Sequence, residues 1–385
     1  MFAVINGCSS RSIDPANIEI TVESTGIISK DRDIFSGWPT VINTNRGDLL
    51  AVYSGGREGH VCPFGRVELK ISKDNGKTWS DPEVIANTPM DDRDAGVVET
   101  DKGTLLVTWF TSTAYVDRIL DRPDRTADWP QEKLDSWKEA RDKMTSANCS
   151  YPEIRKFMER IEQEGNAPLY PPTQWMIRSE DRGKSWSDPY HVPLMSPNGP
   201  KLTKDNRLIW AGKDESLIAV AESFDDGKTW EIIGKIPSYP AHDPADYHEL
   251  DIIDCKDGTL ISQIRNHNEP YSFETLQTRS EDGGKTWTVP RSIDVWGLPS
   301  HLLRMPDNTL IMTYGHRREP RNIYVRFSDD CGISWSDPHS LGETTGDFGY
   351  PTTVILPDEK LLTLWYQTMS DNNNAQLFQS IWSIK

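Results

Sequence analysis

Short apolar runs alternate with polar turns along most of the chain. Residues 39–86 hold the apolar run PTVINT, a turn at Gly47, the runs DLLAVYS and RVELKIS, and a fourth run, EVIA. The same order returns in residues 249–294 and 301–341. Runs of this length, separated by Gly, Asn and Asp turns, predict units of four short antiparallel strands.

An eight-residue motif recurs between the third and fourth runs. Five segments match S-x-D-x-G-x-[ST]-W, and they begin at Ser72, Ser179, Ser223, Ser280 and Ser328. The Asp side chain accepts hydrogen bonds from nearby backbone N–H groups, and the Gly permits a positive φ. The motif holds no nucleophile or general acid, so it predicts a structural turn in each unit.

The units add up to six, which predicts an all-β, six-bladed β-propeller over residues 21–385. The last unit lacks a motif and an outer strand, which the N-terminal run IEITVES supplies by closing the ring. The interval of 107 residues between the first two motifs holds blade two, interrupted by residues 112–172. This insertion has helical spacing and abundant Glu, Lys and Arg. It is either a decoration of one face or a wall over the active site.

Charge and hydropathy restrict the partners. The net charge of −17 disfavours nucleic acid, and no apolar run approaches the roughly 20 residues that cross a bilayer. The start, MFAVINGCSS, is similar to the end of a bacterial lipoprotein signal with Cys8 as lipid anchor. Seven residues before Cys8 are fewer than the roughly 15 of a complete signal. Residues 1–20 are therefore either the remnant of a signal or an accidental likeness to one. A signal remnant predicts a periplasmic or extracellular protein.

No cofactor or metal is predicted. The remaining cysteines are widely spaced without a C-x-x-C pair, and their pairing cannot be read from spacing. The acidic loops contain no D-x-D-x-D-G calcium motif.

The repeats and the starts of the inner strands resemble the sialidase (neuraminidase) superfamily across essentially the whole chain. Glu249, Asp257-Gly258 and Arg265 stand at the family's spacing in blade four. Tyr350 opens the run GYPTTVILPDEK in blade six, as a family tyrosine does. The resemblance implies that Tyr350 is the nucleophile and Glu249 its base. It also implies that arginines bind a substrate carboxylate.

The chain departs from the family pattern in two places. The family opens blade one with R-I-P, whereas this chain has Gly37-Trp38-Pro39 and lacks that arginine. The family's acid is an Asp in the loop after the next strand, where this chain has SGGREGHVCPFG. The catalytic acid therefore stays open between Glu58, His60 and Asp94.

Several other polar residues lie at predicted inner-strand ends. The candidates for substrate contact are Arg57, Arg93, Arg265, His301, Arg317 and Arg321. His316 and Arg318 lie in the same blade-five run, and Trp38 and Trp296 are candidate stacking faces for a sugar ring. A partner of carbohydrate type is expected for such a pocket.

Three functions remain open from the sequence. The first is a sialidase-like exo-glycoside hydrolase that removes a terminal, acidic sugar from a glycan. The second is a lyase that uses Tyr and His to abstract a proton beside the carboxylate of a uronate. The third is a glycan-binding propeller without activity.

Overall fold

The computed structural model describes residues 15–29, 31–214, 217–369 and 374–385. The segment around Cys8 lies outside these residues. Within them, 24 strands form six four-stranded antiparallel sheets around one axis. The six predicted blades are therefore confirmed.

Blades one to three follow the chain in order. Blade one contains β2 (Phe35–Asn43), β3 (Leu49–Arg57), β4 (Arg66–Ser72) and β5 (Glu83–Ala86), because the first strand of the chain belongs to blade six. Blade two contains β6 (Asp91–Glu99), β7 (Leu105–Ser112), β8 (Thr173–Ser179) and β9 (Tyr190–His191). Blade three contains β10 (Lys201–Leu202), β11 (Leu208–Asp214), β12 (Leu217–Ser223) and β13 (Glu231–Lys235).

Blades four to six complete the ring. Blade four contains β14 (Tyr247–Asp254), β15 (Leu260–Asn266), β16 (Glu274–Ser280) and β17 (Arg291–Trp296). Blade five contains β18 (Ser300–Arg304), β19 (Leu310–His316), β20 (Asn322–Ser328) and β21 (His339–Glu343). Blade six contains β22 (Phe348–Ile355), β23 (Leu361–Thr368), β24 (Ala375–Ile384) and, as its outer strand, β1 (Ile20–Ile27). The N-terminal strand thus closes the ring as predicted.

The recurring motif forms a turn in each of five blades. In blade one, Asp74 accepts hydrogen bonds from the backbone N–H and the hydroxyl of Thr78, at 2.8 and 2.6 Å. Ser72 accepts from the backbone N–H of Gly76, whose φ is +82°. These bonds join residues four apart, so the turn forms locally, and the carboxylate stabilises backbone rather than binding a substrate.

The insertion in blade two lies between β7 and β8, and it contains helices. They are α1 (Pro123–Thr126), α2 (Gln131–Lys143) and α3 (Pro152–Gln163), with a π-helical turn at Val116–Leu120 and a 3-10 turn at Ser146–Asn148. Further 3-10 turns lie at Pro15–Asn17 and Pro244–Asp246. Buried Trp137 and Met158 carry the apolar faces of α2 and α3 into the core shared with blades one and two.

One disulfide joins neighbouring blades. Cys255, in the turn after β14, is bonded to Cys331 in the recurring motif of blade five. Cys62 and Cys149 are buried free thiols. No helix in the described ranges has the length and apolar character that a membrane crossing requires.

Candidate active site

Four inner strands bulge at the same position. Trp38 in β2, Asp94 in β6, Glu249 in β14 and Tyr350 in β22 have φ between +48° and +54°, and the strand register shifts at each. Each lies nine residues before the left-handed residue of the following hairpin turn. Left-handed backbone is uncommon for residues other than glycine, and it persists where the surrounding structure imposes it. The shared bulge directs these four side chains to one end of the central axis.

Tyr350, Glu249 and Arg265 meet at this end. Arg265 Nη1 donates to both carboxylate oxygens of Glu249, at 2.9 and 2.7 Å, and lies 3.3 Å from the hydroxyl of Tyr350. The Tyr350 hydroxyl in turn donates to Glu249 Oε1. The three residues that the resemblance singled out therefore form one hydrogen-bonded group.

The electrostatics of this group keep the proton on the tyrosine. Burial raises the pKa of Tyr350 well above its ordinary value, and the charges of Glu249 and Asp94 raise it further. Burial alone raises the pKa of Glu249, but the Arg265 charge and the hydrogen bonds from Tyr350 and Arg265 outweigh it, and the net pKa is lowered. The result is a neutral phenol in contact with an ionised carboxylate, which is the arrangement of a nucleophile and its base.

Asp94 is a further buried carboxyl, and its charge acts on Tyr350. It is 8% exposed, and its Oδ1 has no hydrogen-bond partner among the described residues. Burial raises the pKa of Asp94 to about 7, against the opposing charge of Arg93 and with a further rise from Glu249.

Arg57, a candidate for substrate contact from the sequence, forms a buried ion pair in this structure. Its side chain is fully buried, and its guanidinium donates to both oxygens of Asp91, at 2.5 and 2.9 Å. A buried bidentate pair of this kind leaves no face for a ligand.

Arg93 lies over an aromatic ring. Its guanidinium carbon is 4.5 Å from the centre of the Trp38 ring, and its nearest carboxylate is Asp91 at 3.6 Å. The Nε atom is buried without a hydrogen-bond partner in the described part of the chain. Trp38 is itself 1% exposed, so it supports Arg93 and does not offer a stacking face.

The position of the missing family arginine is occupied by aromatic packing. A Cβ atom added at Gly37 would lie 2.9 Å from Cε1 of Phe35. The Phe35 and Trp38 rings are 5.6 Å apart. A side chain at position 37 therefore requires Phe35 to move.

A second polar group lies beside Tyr350. His60 Nδ1 is 3.1 Å from Asp347 Oδ2, and the Tyr366 hydroxyl donates to the same oxygen at 2.9 Å. Arg317 Nη2 lies 3.5 Å from Asp347 Oδ1, while its Nε donates to the carbonyl of Phe348. The rings of Tyr366 and Tyr350 are 5.8 Å apart.

His60 and Arg317 were expected at the site from the sequence, whereas Asp347 and Tyr366 were not.

Neither missed residue carried a signal that the sequence alone could supply. Asp347 stands three positions before Tyr350, and Tyr366 is the strand partner of Gly349. Both residues reach the site because β22 bulges at Tyr350, and this bulge is seen only in the folded strand.

Glu58, a candidate acid from the sequence, contacts the helical insertion. Its Oε2 accepts a hydrogen bond from Trp137 Nε1 in α2 at 2.8 Å, and Lys133 lies 3.9 Å away. The cleft between α2 and the loop that contains Glu58 has a volume of 680 Å³. The insertion therefore borders the loop that carries His60.

Two further candidates lie outside the group around Tyr350. His301 is buried, and its Nδ1 accepts a hydrogen bond from the backbone N–H of Thr353 at 3.3 Å. Arg321 donates to the carbonyl of Gly346 at 2.9 Å. In the same blade, Arg318 stacks on Trp296 at 4.0 Å and His316 packs against that ring.

One cluster of potential metal ligands occurs in the described ranges. It consists of Cys255, Asp257 and Cys331, and its two sulfur atoms are bonded to each other. A disulfide has no thiolate to offer a metal, so this cluster does not form a metal site.

Comparison with known families places the chain. A family model described as BNR repeat-like domain matches residues 162–362, just over half of the chain. The chain belongs to this family. A second model, BNR/Asp-box repeat, matches residues 70–81, which contain the first recurring motif. The BNR repeat-like chain and its six blades together place it in the sialidase-like superfamily.

Individual relatives are distant. A sialidase of Bacteroides fragilis (strain YCH46) is 21% identical in an alignment of 366 residues that covers 86% of this chain. The BNR repeat-like chain spans 60% of the length of that sialidase.

Two solved structures share the fold. A Dyadobacter fermentans DSM 18053 protein described as of unknown function has a TM-score of 0.72 and 22% identity, covering 95% of this chain and 99% of its own. The K499G mutant of NanB sialidase from Streptococcus pneumoniae has a TM-score of 0.64 and 15% identity, covering 91% and 68%.

Proposed function

We propose that the protein is an exo-acting glycoside hydrolase that removes a terminal acidic sugar from a glycan through a covalent intermediate on Tyr350. The observation that carries this proposal is the hydrogen bond from the Tyr350 hydroxyl to the ionised, arginine-paired Glu249. A neutral phenol beside a carboxylate base suits attack at an anomeric carbon that carries a carboxylate, because an anionic nucleophile would be repelled.

The reaction takes two steps. In the first, Tyr350 Oη bonds to the anomeric carbon while Glu249 takes the phenolic proton. The bond from that carbon to the leaving oxygen breaks, and its electron pair goes to this oxygen, which takes a proton from a general acid. In the second, water bonds to the anomeric carbon and gives a proton to the conjugate base of that acid. The bond to Tyr350 breaks, and the phenolate recovers its proton from Glu249.

The arginines support an acidic sugar. Arg265 touches both members of the reacting pair, and Arg317 enters beside them with a side chain that is 26% exposed. A guanidinium offers parallel N–H donors that match a carboxylate. Without an arginine at Gly37, Arg265 and Arg317 are the guanidinium groups in contact with the residues around Tyr350.

We also propose that the protein works outside the cytoplasm, in the periplasm or beyond the cell. The disulfide between Cys255 and Cys331 supports this placement, because disulfides persist in oxidising compartments.

The test is release of reducing sugar from a panel of aryl α-glycosides that includes sialic acid and its deaminated form, with uronate polymers alongside. Tyr350→Phe is expected to lower kcat/KM by about 10³-fold or more on the substrate that is turned over. Tyr190→Phe is the matched control, since the Tyr190 hydroxyl bonds to the carbonyl of Gly227, in the turn of blade three.

Three outcomes contradict the proposal. Retained activity in Tyr350→Phe rules out the tyrosine nucleophile. An ultraviolet-absorbing unsaturated product from a uronate polymer identifies a lyase. Glycan binding without turnover identifies a binding protein.

A further inference from the structure

The reaction needs a proton donor, and the loop after β3 contains no Asp. Residues 58–65 follow β3, and they contain Glu58 and His60. Glu58 is bonded to Trp137 of the insertion. Of the two, only His60 faces the group around Tyr350.

His60 lies at the open end of that group. Its ring packs edge-on against Trp38 with centres 5.0 Å apart, and Trp38 is 6.4 Å from the ring of Tyr350. The His60 side chain is 51% exposed, whereas Tyr350 is 7% exposed as a residue. A group that acts on the departing part of a glycan must lie on this outer side of the nucleophile, because the rest of the glycan extends towards solvent.

Asp347 orients the imidazole. With Nδ1–H directed to Asp347 Oδ2, the other ring nitrogen, Nε2, is left to exchange a proton. Burial alone would raise the pKa of Asp347, but the hydrogen bond from His60 and the charge of Arg317 lower it, with a further contribution from Tyr366. Asp347 therefore stays ionised and holds the imidazole ring of His60 in place, as a carboxylate does beside a catalytic histidine.

We propose that His60, oriented by Asp347, is the general acid and base of the reaction; this rests on the proposed glycoside hydrolysis. In the first step Nε2–H of the imidazolium gives its proton to the leaving oxygen as the glycosidic bond breaks, and His60 becomes neutral. In the second step neutral Nε2 takes a proton from the attacking water, which restores the imidazolium. The dyad joins the loop after β3 to the start of β22 across the closure of the ring.

Asp94 is the rival donor, and its position differs from that of His60. It is 8% exposed, and its charge interacts with those of Arg93, Glu249, Arg57 and Asp91 and acts on Tyr350. Its carboxyl lies on the inner side of the group, away from the half-exposed rim that His60 occupies.

The test compares two leaving groups on the sugar that the panel identifies, a 4-nitrophenyl group and lactose. His60→Gln is expected to lower kcat/KM by about 10²- to 10⁴-fold on the lactose glycoside, which needs protonation of its leaving oxygen. The same variant is expected to lose less than about tenfold in glycosylation of the enzyme by the nitrophenyl glycoside, measured in a single turnover. Added azide should restore turnover and give a glycosyl azide, because azide attacks without a base.

His191→Gln, on an exposed outer strand, controls for the substitution itself and for thermal stability. Asp347→Asn should reproduce the leaving-group dependence with a smaller loss. The assignment is overturned if His60→Gln lowers both substrates equally, or if Asp94→Asn and not His60→Gln shows the dependence. Either result, with Tyr350→Phe inactive, leaves the proposed hydrolysis standing, whereas an active Tyr350→Phe removes the hydrolysis itself.

Discussion

The hydroxyl of Tyr350 donates a hydrogen bond to Glu249 Oε1, although the two residues lie 101 positions apart in the chain. They come from blades six and four, and each occupies the bulge of its inner strand. The bulge costs backbone strain at both positions, of order 1–3 kcal/mol each for left-handed residues other than glycine. The strain places a phenol against a carboxylate that Arg265 holds in the ionised form.

Replacement of Arg265 should change the pH dependence of the reaction. The base form of Glu249 is required, so activity falls as pH drops through its pKa, which Arg265 and Tyr350 hold below the ordinary range of a glutamate. In Arg265→Leu, burial dominates and the acid limb of kcat/KM should move to higher pH. Arg265→Lys keeps the charge and should keep the limb nearer its original position. A limb that does not move in Arg265→Leu would show that Glu249 is not the titrating base.

Asp94 should make folding less favourable as pH rises. In the unfolded chain its pKa is about 3.9, whereas in the folded protein it is about 7. Between these values the unfolded chain releases the proton and the folded protein retains it, so the free energy of unfolding falls by up to about 4 kcal/mol. Asp94→Asn does not titrate, and its stability relative to the natural protein should rise across this window.

Urea unfolding at several pH values between about 4 and 8 measures this difference. Asp92 has a pKa raised to about 7 as well, by burial first of all, but it is present in both proteins and cancels. A stability difference that stays constant with pH would contradict the prediction.

Restoring a side chain at Gly37 should destabilise the fold. Cβ of Gly37→Ala meets the Phe35 ring at 2.9 Å, and Phe35 is buried, so we expect a loss of about 1–3 kcal/mol. Combined with Phe35→Leu, the loss should be smaller than the sum of the two single losses. Gly26→Ala in β1 is the control, because a Cβ there meets no atom within 4 Å. Additive losses in the double variant would contradict the proposed clash.

Trp137 should anchor the insertion to the loop that carries His60. Trp137→Ala removes a side chain that is 3% exposed and is expected to cost about 3–5 kcal/mol. Trp137→Phe keeps an aromatic ring but loses the hydrogen bond to Glu58, and should cost about 1–3 kcal/mol. Thermal unfolding measures both, and limited proteolysis shows whether cleavage concentrates in residues 112–172. Equal losses in the two variants would mean that packing of an aromatic ring at position 137 contributes little to stability.

The sequence by itself was sufficient for the architecture. The turn around Asp74 forms from residues within four positions of one another, so its repetition along the chain reports one turn in each of five blades. The closing strand β1 was also predicted from the repeat, because the last unit lacks an outer strand and the first run has strand character. The positions of Tyr350, Glu249 and Arg265 came from spacing that resembles a known superfamily.

Only the tertiary structure decided which side chains meet at the axis. Arg57 was expected to bind substrate, and in the fold it is paired with Asp91 from the next blade. Asp347 drew no notice in the sequence, and it pairs with His60 from 287 positions away. Local hydrogen bonds are encoded by neighbouring residues, whereas these contacts depend on bulged strands that converge only when the ring closes. The sequence therefore determined the blades, and the closed ring determined the site.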